Sequence, residues 1–439
     1  MARISIVVPA YNAGQQLQES LAAIEGLNIS PHEVIVVDDG STDGSPQAAA
    51  ARGYRVVSTG GRKGPAEARN IGAGLATGEI LFFLDADVCP HRDATQRVAA
   101  ALSDPGVDAV IGSYDFDPGS PDFLSQYKNL MHCFVHQTAQ SEASTFWSGC
   151  GAVRRAVFLE MSGFDASYGR PAIEDIELGY RMKSAGHRIL LDRDLAVKHL
   201  KKWTFWGLVK TDILHRGIPW TELILRDHNM PNDLNVQLSQ RLSVALVYLL
   251  LGLAVTCAVR WGAYFLVPLF AILFVLLSRY WGDGATRSRA VNAVMVGTAS
   301  AIVALCWWLH MLALIPLLVI AVPLLFLRHR YETRMGWRVL HAAYLIATLL
   351  ASLVYLPSNV LLFVLAGCTL LVAALNNQFY VFLAQKRGRW FAVAAFPFHL
   401  LYHFYNGLSF GIGTLRWWFR KRIDRREPVR ALSRAARRS

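Results

Sequence analysis

Strand-like and helix-like patterns alternate over residues 4–116, and this alternation restricts the possible folds more than any other feature of the chain. Apolar runs such as "ISIVVPA", "EVIVVD" and "EILFFLD" are each followed by a segment with helical spacing. Strands separated by helices form right-handed crossovers, which produce a parallel sheet covered by helices on both faces. The pattern therefore predicts an α/β domain with a buried parallel sheet.

Polar residues gather where the predicted strands end, in residues 9–12, 38–41 and 85–87. The carboxyl ends of parallel strands lie at one edge of a sheet, and open α/β sheets bind their ligands beyond that edge. The sequence therefore predicts that these three segments form one ligand site.

Asp85 and Asp87 follow the most apolar of the predicted strands, "ILFFL". Residues i and i+2 of an extended chain point the same way and lie roughly 6–7 Å apart, so the two carboxylates repel each other. A hard divalent cation, Mg²⁺ or Mn²⁺, relieves that repulsion and bridges to phosphate oxygens. The alternative is a turn in which the aspartates cap the next helix.

Asp38 and Asp39 occupy the corresponding position after a second predicted strand, "EVIVV". A carboxylate there can accept hydrogen bonds from a nucleotide base or from ribose hydroxyls. The alternative is a plain turn, because Asp-Gly and Ser-Thr-Asp are common turn sequences.

Four ordered blocks of sequence lead to a family resemblance. They are "ISIVVPAYNAGQQLQESL", "VIVVDDGSTDGS", "GPAEARNIGAGLATGEILFFLDADV" and "SGFDASYGRPAIEDIELGYRMKSAGHRI". Together they span about residues 3–200 and resemble the family 2 glycosyltransferases of the GT-A fold. The resemblance implies a Rossmann-like nucleotide-sugar domain and an inverting hexosyltransferase.

The resemblance also implies a role for particular residues. Asp175 in "IEDIELGYR" matches the general base of the family, with Glu174 beside it. The alternative explanation for these acidic residues is that they begin a helix, where the helix dipole favours negative charge. The nucleotide sugar is expected at Pro9, Tyr11, Asn12, Asp38, Asp39, Arg69 and Asp85, and the metal ion at Asp85, Asp87 and His199.

Two further segments are expected to face the acceptor or the diphosphate. The segment "SGCGAVRRAVF", residues 148–158, resembles the acceptor-pocket segment of the family, where Gly149 lets an acceptor approach the backbone. Trp147, just before it, is expected either to stack on a sugar ring or to be buried in the core. Processive members of the family carry Gln-x-x-Arg-Trp near residue 216. Here Arg216 and Trp220 are separated by three residues, which argues against processive synthesis.

The second half of the chain is far more apolar than the first. Six segments are long enough to approach a membrane span: residues 242–259, 261–277, 291–309, 312–327, 339–356 and 360–375. They form three pairs separated by basic loops, so the positive-inside rule predicts cytoplasmic loops and three hairpins. Residues 390–419 start and end beside basic residues, which predicts a re-entrant element or a fourth hairpin turning near His399 and His403.

Composition and charge complete the predicted organisation. Residues 1–235 are predicted to form the catalytic domain, with an interfacial segment at 199–235, and residues 236–419 are predicted to form an all-α transmembrane domain.

The net charge is +12, and ten Arg or Lys lie within residues 416–439. Beside membrane spans such a tail, 420–439, is expected to meet anionic lipid rather than nucleic acid. No signal peptide is visible, so the catalytic domain and the C-terminus are expected on the cytoplasmic side of the plasma membrane.

The sequence therefore predicts a membrane-integral glycosyltransferase that transfers a hexose from a nucleotide-diphosphate sugar, expected to be a UDP-sugar, to a lipid or lipid-linked acceptor. Two alternatives stay open. One is a processive polysaccharide synthase that translocates its polymer. The other is a non-catalytic nucleotide-sugar-binding membrane protein or transporter, which the near absence of ionisable groups in the spans disfavours.

Overall fold

The computed structural model describes residues 2–258 and 358–435. The strands are β1 (Ile4–Ala10), β2 (Glu33–Asp38), β3 (Arg55–Ser58), β4 (Ile80–Leu84), β5 (Val88–Pro90), β6 (Ala109–Tyr114), β7 (Cys150–Arg154) and β8 (Ile189–His199). The first helices are α1 (Gly14–Glu25), α2 (Ser45–Ala51), α3 (Pro65–Leu75), α4 (Ala94–Ala101), α5 (Phe123–Thr138), α6 (Arg155–Glu160) and α7 (Glu174–Ser184).

The later helices begin with α8 (Phe205–Lys210), which continues through a π-helix (Thr211–Gly217) into α9 (Ile218–Asp227). After a 3₁₀ turn (Leu234–Val236) come α10 (Leu238–Ala258), α11 (Ser358–Leu375), α12 (Asn377–Arg387) and α13 (Arg389–Ala435). The alternation predicted for residues 4–116 is confirmed, since each predicted strand and helix is present there.

The eight strands form one sheet in the order β3-β2-β1-β4-β7-β6-β8-β5. The prediction of a parallel sheet is confirmed for β3, β2, β1 and β4. Strand β7 inserts between β4 and β6 and runs antiparallel to both, whereas β6 pairs with β8 in parallel and β5 pairs with β8 antiparallel, so the sheet is mixed beyond β4. Strand β7 was not predicted as a strand, because its segment was assigned only by its resemblance to an acceptor pocket. At Gly151 a Cβ would lie 2.2 Å from the Trp147 carbonyl oxygen, so the strand fits only with glycine there.

Both faces of the sheet are buried, as the apolar strands predict. Along β1, Ile6 and Val8 belong to one apolar cluster and Val7 belongs to the other. Phe82 and Phe83 of β4 divide between the same two clusters. Successive side chains of a strand point to opposite faces, so the central strands fix the position of the helices on either side.

The structure divides into two compact units, residues 1–244 with 376–439 and residues 245–375. In the first unit, Tyr127 and Leu130 of α5 share an apolar cluster with Phe379 of α12 and with Tyr402 and Tyr405 of α13. The C-terminal segment therefore packs on α5 of the α/β domain, within the same compact unit.

Residues 389–435 form one continuous helix, α13. This differs from the expected re-entrant element or extra hairpin, and His399 and His403 lie inside the helix rather than at a turn. Burial explains the difference: both imidazoles are covered by neighbouring aromatic rings, including Tyr380 and Tyr402, so the segment has no need of a polar turn.

Among the described residues, one helix, Leu238–Ala258, is long and apolar enough to cross a membrane. A second span results if Val360–Leu375 and the helix after it are counted together as one bent span. Four of the six predicted spans, residues 261–277, 291–309, 312–327 and 339–356, lie outside the described residues.

Helix α3 touches the sheet through a glycine, which yields a matched test of this packing. A Cβ at Gly72 would lie 2.4 Å from a Val7 methyl, whereas a Cβ at Gly74 would meet nothing within 4 Å. We expect Gly72→Ala to lower the free energy of unfolding by about 1–3 kcal/mol through overpacking. Gly74→Ala should raise it by about 0.5–1 kcal/mol through helix propensity. Urea denaturation measures both, and equal effects of the two variants would contradict this packing.

Candidate active site

The loops after β1 and β2 are tied together by Asn12. Its backbone N–H donates to Ser41 Oγ at 3.0 Å, and its Oδ1 accepts from the Thr42 N–H at 2.8 Å. Asn12 adopts a positive φ of 47°, which asparagine tolerates better than most residues. Asp38 fixes the same loop by accepting from the Ser41 N–H at 2.9 Å. These predicted site residues therefore shape one edge of the sheet.

Asp39 organises the loop between β3 and α3. Its carboxylate accepts from the backbone N–H groups of Lys63 and Gly64 at 2.8 and 2.9 Å and from Thr59 Oγ1 at 3.1 Å. The same loop places the Arg62 guanidinium 4.3 Å from the centroid of the exposed Tyr11 ring. The Asp39 carboxylate is thus occupied by the chain itself, while Tyr11 and Arg62 offer a flat cationic and aromatic surface beside half-buried Pro9.

Arg69 connects the end of β4 to the start of α7. Its Nη2 donates to Asp85 Oδ1 at 2.6 Å and its Nη1 donates to Glu174 Oε1 at 3.0 Å. Only 5% of the side chain is exposed. Burial opposes the charge, but Asp85, Glu174 and Asp175 outweigh it and raise the pKa of Arg69. The guanidinium is therefore permanently charged and bridges two separate parts of the sequence.

Glu174 and Asp175 are neighbours with different environments. Glu174 is buried, forms an ion pair with Arg69 and accepts a hydrogen bond from the Ala172 N–H at 2.9 Å. Burial raises the pKa of Glu174, although the charge of Arg69 acts in the opposite sense. Asp175 is half-buried and accepts only from neutral donors, namely the N–H and Oγ of Ser148, both at 3.1 Å, and the Ile176 N–H at 2.8 Å. Of this predicted catalytic pair, Asp175 keeps an available carboxylate, whereas Glu174 is committed to Arg69.

Asp87 and His199 face each other across β5 and β8. Val88 pairs with His199 in the sheet, and Asp87 Oδ2 lies 3.7 Å from His199 Nε2. The His199 ring stacks on Tyr114, with centroids 4.2 Å apart and planes 10° apart. Burial would raise the pKa of Asp87, but the hydrogen bond and charge of His199 outweigh burial and lower it. About a quarter of the Asp87 side chain, 24%, remains accessible.

The two aspartates do not project from an extended strand, which differs from the sequence-based expectation. Strand β4 ends at Leu84, and the Val88 N–H donates to the Asp85 carbonyl at 3.2 Å, which makes residues 85–88 a turn. Asp85 pairs with Arg69 and Asp87 pairs with His199, so the Arg69 guanidinium neutralises the first carboxylate in this structure, and the metal role expected for Asp85 stays a prediction. No group of three possible metal-ligating side chains occurs among residues 2–258 and 358–435. Asp87 and His199 nevertheless fit Mn²⁺ as an oxygen and nitrogen pair that leaves room for phosphate oxygens.

The Trp147 indole packs directly against the backbone of Gly149. A Cβ at Gly149 would lie 2.8 Å from the indole ring, so only glycine permits this packing. The indole contacts Tyr114 edge-on at 5.0 Å and His132 at 4.9 Å, and it is half-buried. One part of Trp147 therefore packs in the core and another stays accessible, and its contact with an acceptor stays a prediction.

Arg216 and Trp220 lie on consecutive helical segments. Trp220 donates from Nε1 to the Tyr180 hydroxyl at 3.2 Å and packs near Ile173, just before Asp175. Arg216 lies in the π-helix, is half-buried, and makes no hydrogen bond or ion pair with any residue that the structure describes. Burial and the negative charges of Asp87 and Asp85 raise the pKa of the Tyr114 hydroxyl, and the positive charge of Arg216 acts in the opposite sense.

Several residues of this site escaped the sequence analysis. Tyr114 ends β6, which is a predicted strand, so strand-end position was an available signal for Tyr114. Ser148 lies just before β7, which was not predicted, so that signal was missing for Ser148. His132 lies inside α5, and its Nδ1 is buried without a partner. Nothing in the local sequence of α5 distinguishes His132 from an ordinary core residue.

The bridge by Arg69 can be tested through stability. Arg69→Met leaves the buried Glu174 carboxylate without its cation, and we expect the free energy of unfolding to fall by about 3 kcal/mol. Arg69→Met/Glu174→Gln removes the stranded charge and should recover part of that loss. Urea denaturation of both variants measures the difference, and a single variant as stable as the wild type would contradict the bridge.

Comparison with known proteins finds similarity to glycosyltransferases over part of the chain. Residues 5–161 match the model of glycosyl transferase family 2. A glycosyltransferase of Haloferax volcanii is 34% identical over 120 residues, or 26% of this chain. An O-antigen chain rhamnosyltransferase of Salmonella typhimurium is 26% identical over 241 residues, covering 50% of this chain and 74% of that protein. A solved mannosyltransferase from Pyrobaculum calidifontis, in complex with GDP-Man and Mn²⁺, is 22% identical with a TM-score of 0.43, covering 79% of this chain and 86% of that one.

These matches concern parts of proteins. The alignment with the Haloferax volcanii enzyme spans 40% of that protein's length. The family resemblance found in the sequence is confirmed where the family model matches. Residues 5–161 of the chain are therefore similar to a family 2 glycosyltransferase domain, and the relatives that they resemble are glycosyltransferases.

Proposed function

We propose that the protein transfers a hexose, with inversion, from a UDP-sugar to a lipid or lipid-linked acceptor at the cytoplasmic face of a membrane. The single observation that supports this most is the environment of Asp175. It is a half-buried carboxylate held only by neutral donors, next to a second carboxylate that Arg69 neutralises. Such a group can accept a proton, whereas its neighbour cannot without losing its ion pair.

The donor nucleotide binds in this proposal at the loops after β1, β2 and β3. The base stacks on Tyr11 and Arg62, whose ring and guanidinium lie 4.3 Å apart. Pro9, Asn12 and Asp38 form the floor of this pocket, and Asp39 holds the loop that carries Arg62. Contact of the Asp38 and Asp39 carboxylates with base or ribose is part of the proposal.

The diphosphate lies between Arg216 and the pair formed by Asp87 and His199. Arg216 is a half-buried cation without an ion pair among the described residues, and such a cation is stabilised by an anionic ligand. Asp87 and His199 would hold a Mg²⁺ or Mn²⁺ ion, and that ion, when bound, neutralises charge on the leaving diphosphate. Asp85 stays paired with Arg69 and keeps α3 next to the site.

The transfer itself needs one base. The acceptor hydroxyl gives its proton to the Asp175 carboxylate, and its oxygen bonds to the anomeric carbon on the face opposite the diphosphate. The bond between the anomeric carbon and the diphosphate oxygen breaks, and the nucleoside diphosphate leaves with that electron pair. One displacement inverts the anomeric centre, so no carboxylate nucleophile is required. Ser148 orients Asp175, and Trp147 and Trp220 flank the acceptor.

The proposed acceptor is a membrane lipid or lipid-linked sugar because the enzyme domain is joined to apolar segments. Helix α10 is long and apolar enough for one span, and the sequence predicts six spans in all, with basic loops toward the cytoplasm. The curated Salmonella typhimurium relative is an O-antigen chain enzyme, which agrees with an acceptor of this kind.

The role of Asp175 is tested by Asp175→Asn, which keeps the shape of the side chain but lowers its basicity. We expect kcat for release of nucleoside diphosphate, with Mn²⁺ and membrane lipid extract, to fall on the order of 10²–10⁴-fold. Asp165→Asn is the matched control, because Asp165 precedes the same helix and accepts from the Ser167 N–H at 2.9 Å. Full activity in Asp175→Asn would exclude Asp175 as the base.

The proposed metal pair is tested by titrating Mn²⁺ in the presence of UDP and following free Mn²⁺ by electron paramagnetic resonance. We expect Asp87→Asn to weaken Mn²⁺ binding by at least about tenfold, since it removes a ligand. Asp117→Asn is the control, because Asp117 pairs with Lys198 on the surface at 2.9 Å. Unchanged Mn²⁺ affinity in Asp87→Asn would remove Asp87 from the metal site.

A further inference from the structure

The π-helix (Thr211–Gly217) contains a buried carboxylate one turn before Arg216. Asp212 is 5% exposed, and Lys128 Nζ of α5 donates to both of its oxygens, at 2.9 and 2.7 Å. The Tyr405 hydroxyl of α13 donates to Asp212 Oδ2 at 2.6 Å. Three distant parts of the chain therefore meet at one carboxylate.

Asp212 and Arg216 would normally form an ion pair with each other. Acidic and basic residues four positions apart on a helix lie side by side and attract. The charge of Arg216 does act on Asp212. Burial alone would raise the pKa of the Asp212 carboxyl, but the positive charges of Lys128 and Arg216 outweigh burial and lower it. Arg216 nevertheless makes no hydrogen bond or ion pair within the described part of the chain, because Lys128 and Tyr405 occupy both Asp212 oxygens.

Close helix packing holds this arrangement in place. A Cβ at Gly217 would lie 2.5 Å from Ser409 Cβ, and a Cβ at Gly413 would lie 2.7 Å from Thr221 Cβ. The π-helix and α9 therefore approach α13 without intervening side chains. π-Helical turns are rare and occur frequently at functional sites.

We propose that Lys128 and Tyr405 are positioning residues that occupy Asp212 and thereby keep Arg216 free for the diphosphate of the donor. This inference rests on the proposed role of Arg216 and adds the residues that maintain it. It also couples α13, near the C-terminus, to the active site. Lys128 and Tyr405 themselves touch neither the substrate nor the metal in this proposal.

The test measures the affinity for UDP with Mn²⁺ by isothermal titration calorimetry, so it needs no acceptor. Lys128→Met frees Asp212 to bind Arg216, and we expect UDP to bind about tenfold more weakly. In Lys128→Met/Asp212→Asn the competing charge is gone, so most of the affinity should return. A purely structural role for Lys128 predicts instead that the loss of UDP affinity in Lys128→Met follows a loss of folded protein, which urea denaturation of both variants measures. Wild-type affinity in Lys128→Met, or a double variant as weak as the single one, overturns the inference.

Tyr405→Phe provides a second arm that does not remove a buried charge. It deletes one hydrogen bond to Asp212 and should weaken UDP binding by about threefold or more. Tyr380→Phe is the matched control, because it deletes a partly buried hydrogen bond of 2.8 Å between the Tyr380 hydroxyl and His399 Nδ1 that does not involve Asp212. Equal effects of the two variants on UDP affinity contradict the inference.

The proposed role of Arg216 has its own readout. Arg216→Met should weaken UDP binding, and adding Tyr405→Phe to it should weaken binding no further, because the residue that Tyr405 serves is gone. If Arg216→Met binds UDP like the wild type, the proposed diphosphate contact fails. If Arg216→Met binds weakly but the effect of Tyr405→Phe simply adds to it, only the positioning inference fails.

Discussion

The ion-paired bridge formed by Arg69 is the interaction on which the proposed active site depends. One buried guanidinium neutralises Asp85 at the end of β4 and Glu174 at the start of α7. These carboxylates lie 89 positions apart in the chain, and without a cation between them they would repel each other and Asp175. Because buried charges are tolerated only when paired, Arg69 fixes the distance between the strand ends and the helix that carries Asp175. The proposed base is thereby held beside the proposed donor pocket.

The charges around the site fall into two groups. Asp85, Asp87 and Asp212 each have a partner, namely Arg69, His199 and Lys128. Asp175 and Arg216 have no ion pair within residues 2–258 and 358–435. An inverting sugar transfer from a diphosphate donor needs one group that accepts a proton and another that stabilises the departing anion. The two unpaired charges have the signs that those tasks require.

Much of the fold was predictable because its local signals agree with its tertiary structure. The apolar runs of β1, β2 and β4 and the helices between them appear where periodicity places them. Strand β7 was missed because its glycines give no local strand signal, and packing against Trp147 and Phe146 explains Gly151. The family resemblance placed Arg69 with Asp85 and His199 with Asp87 in one site, but their direct pairing depends on tertiary contacts that the local sequence does not contain. Helix α13 replaced a predicted hairpin because aromatic rings of α12 and α13 cover its imidazoles and α5 packs against its aromatic residues, and hydropathy alone does not contain that information.

A crystal structure of the protein with UDP and Mn²⁺ tests the account most directly. The account predicts that the diphosphate lies between the Arg216 guanidinium and the Asp87–His199 pair, with Arg69 still bound to both Asp85 and Glu174. The Asp175 carboxylate should then face the position that the sugar occupies in the intact donor. A diphosphate bound away from Arg216 and Asp87, or Arg69 released from Glu174 to bind it, would contradict the account.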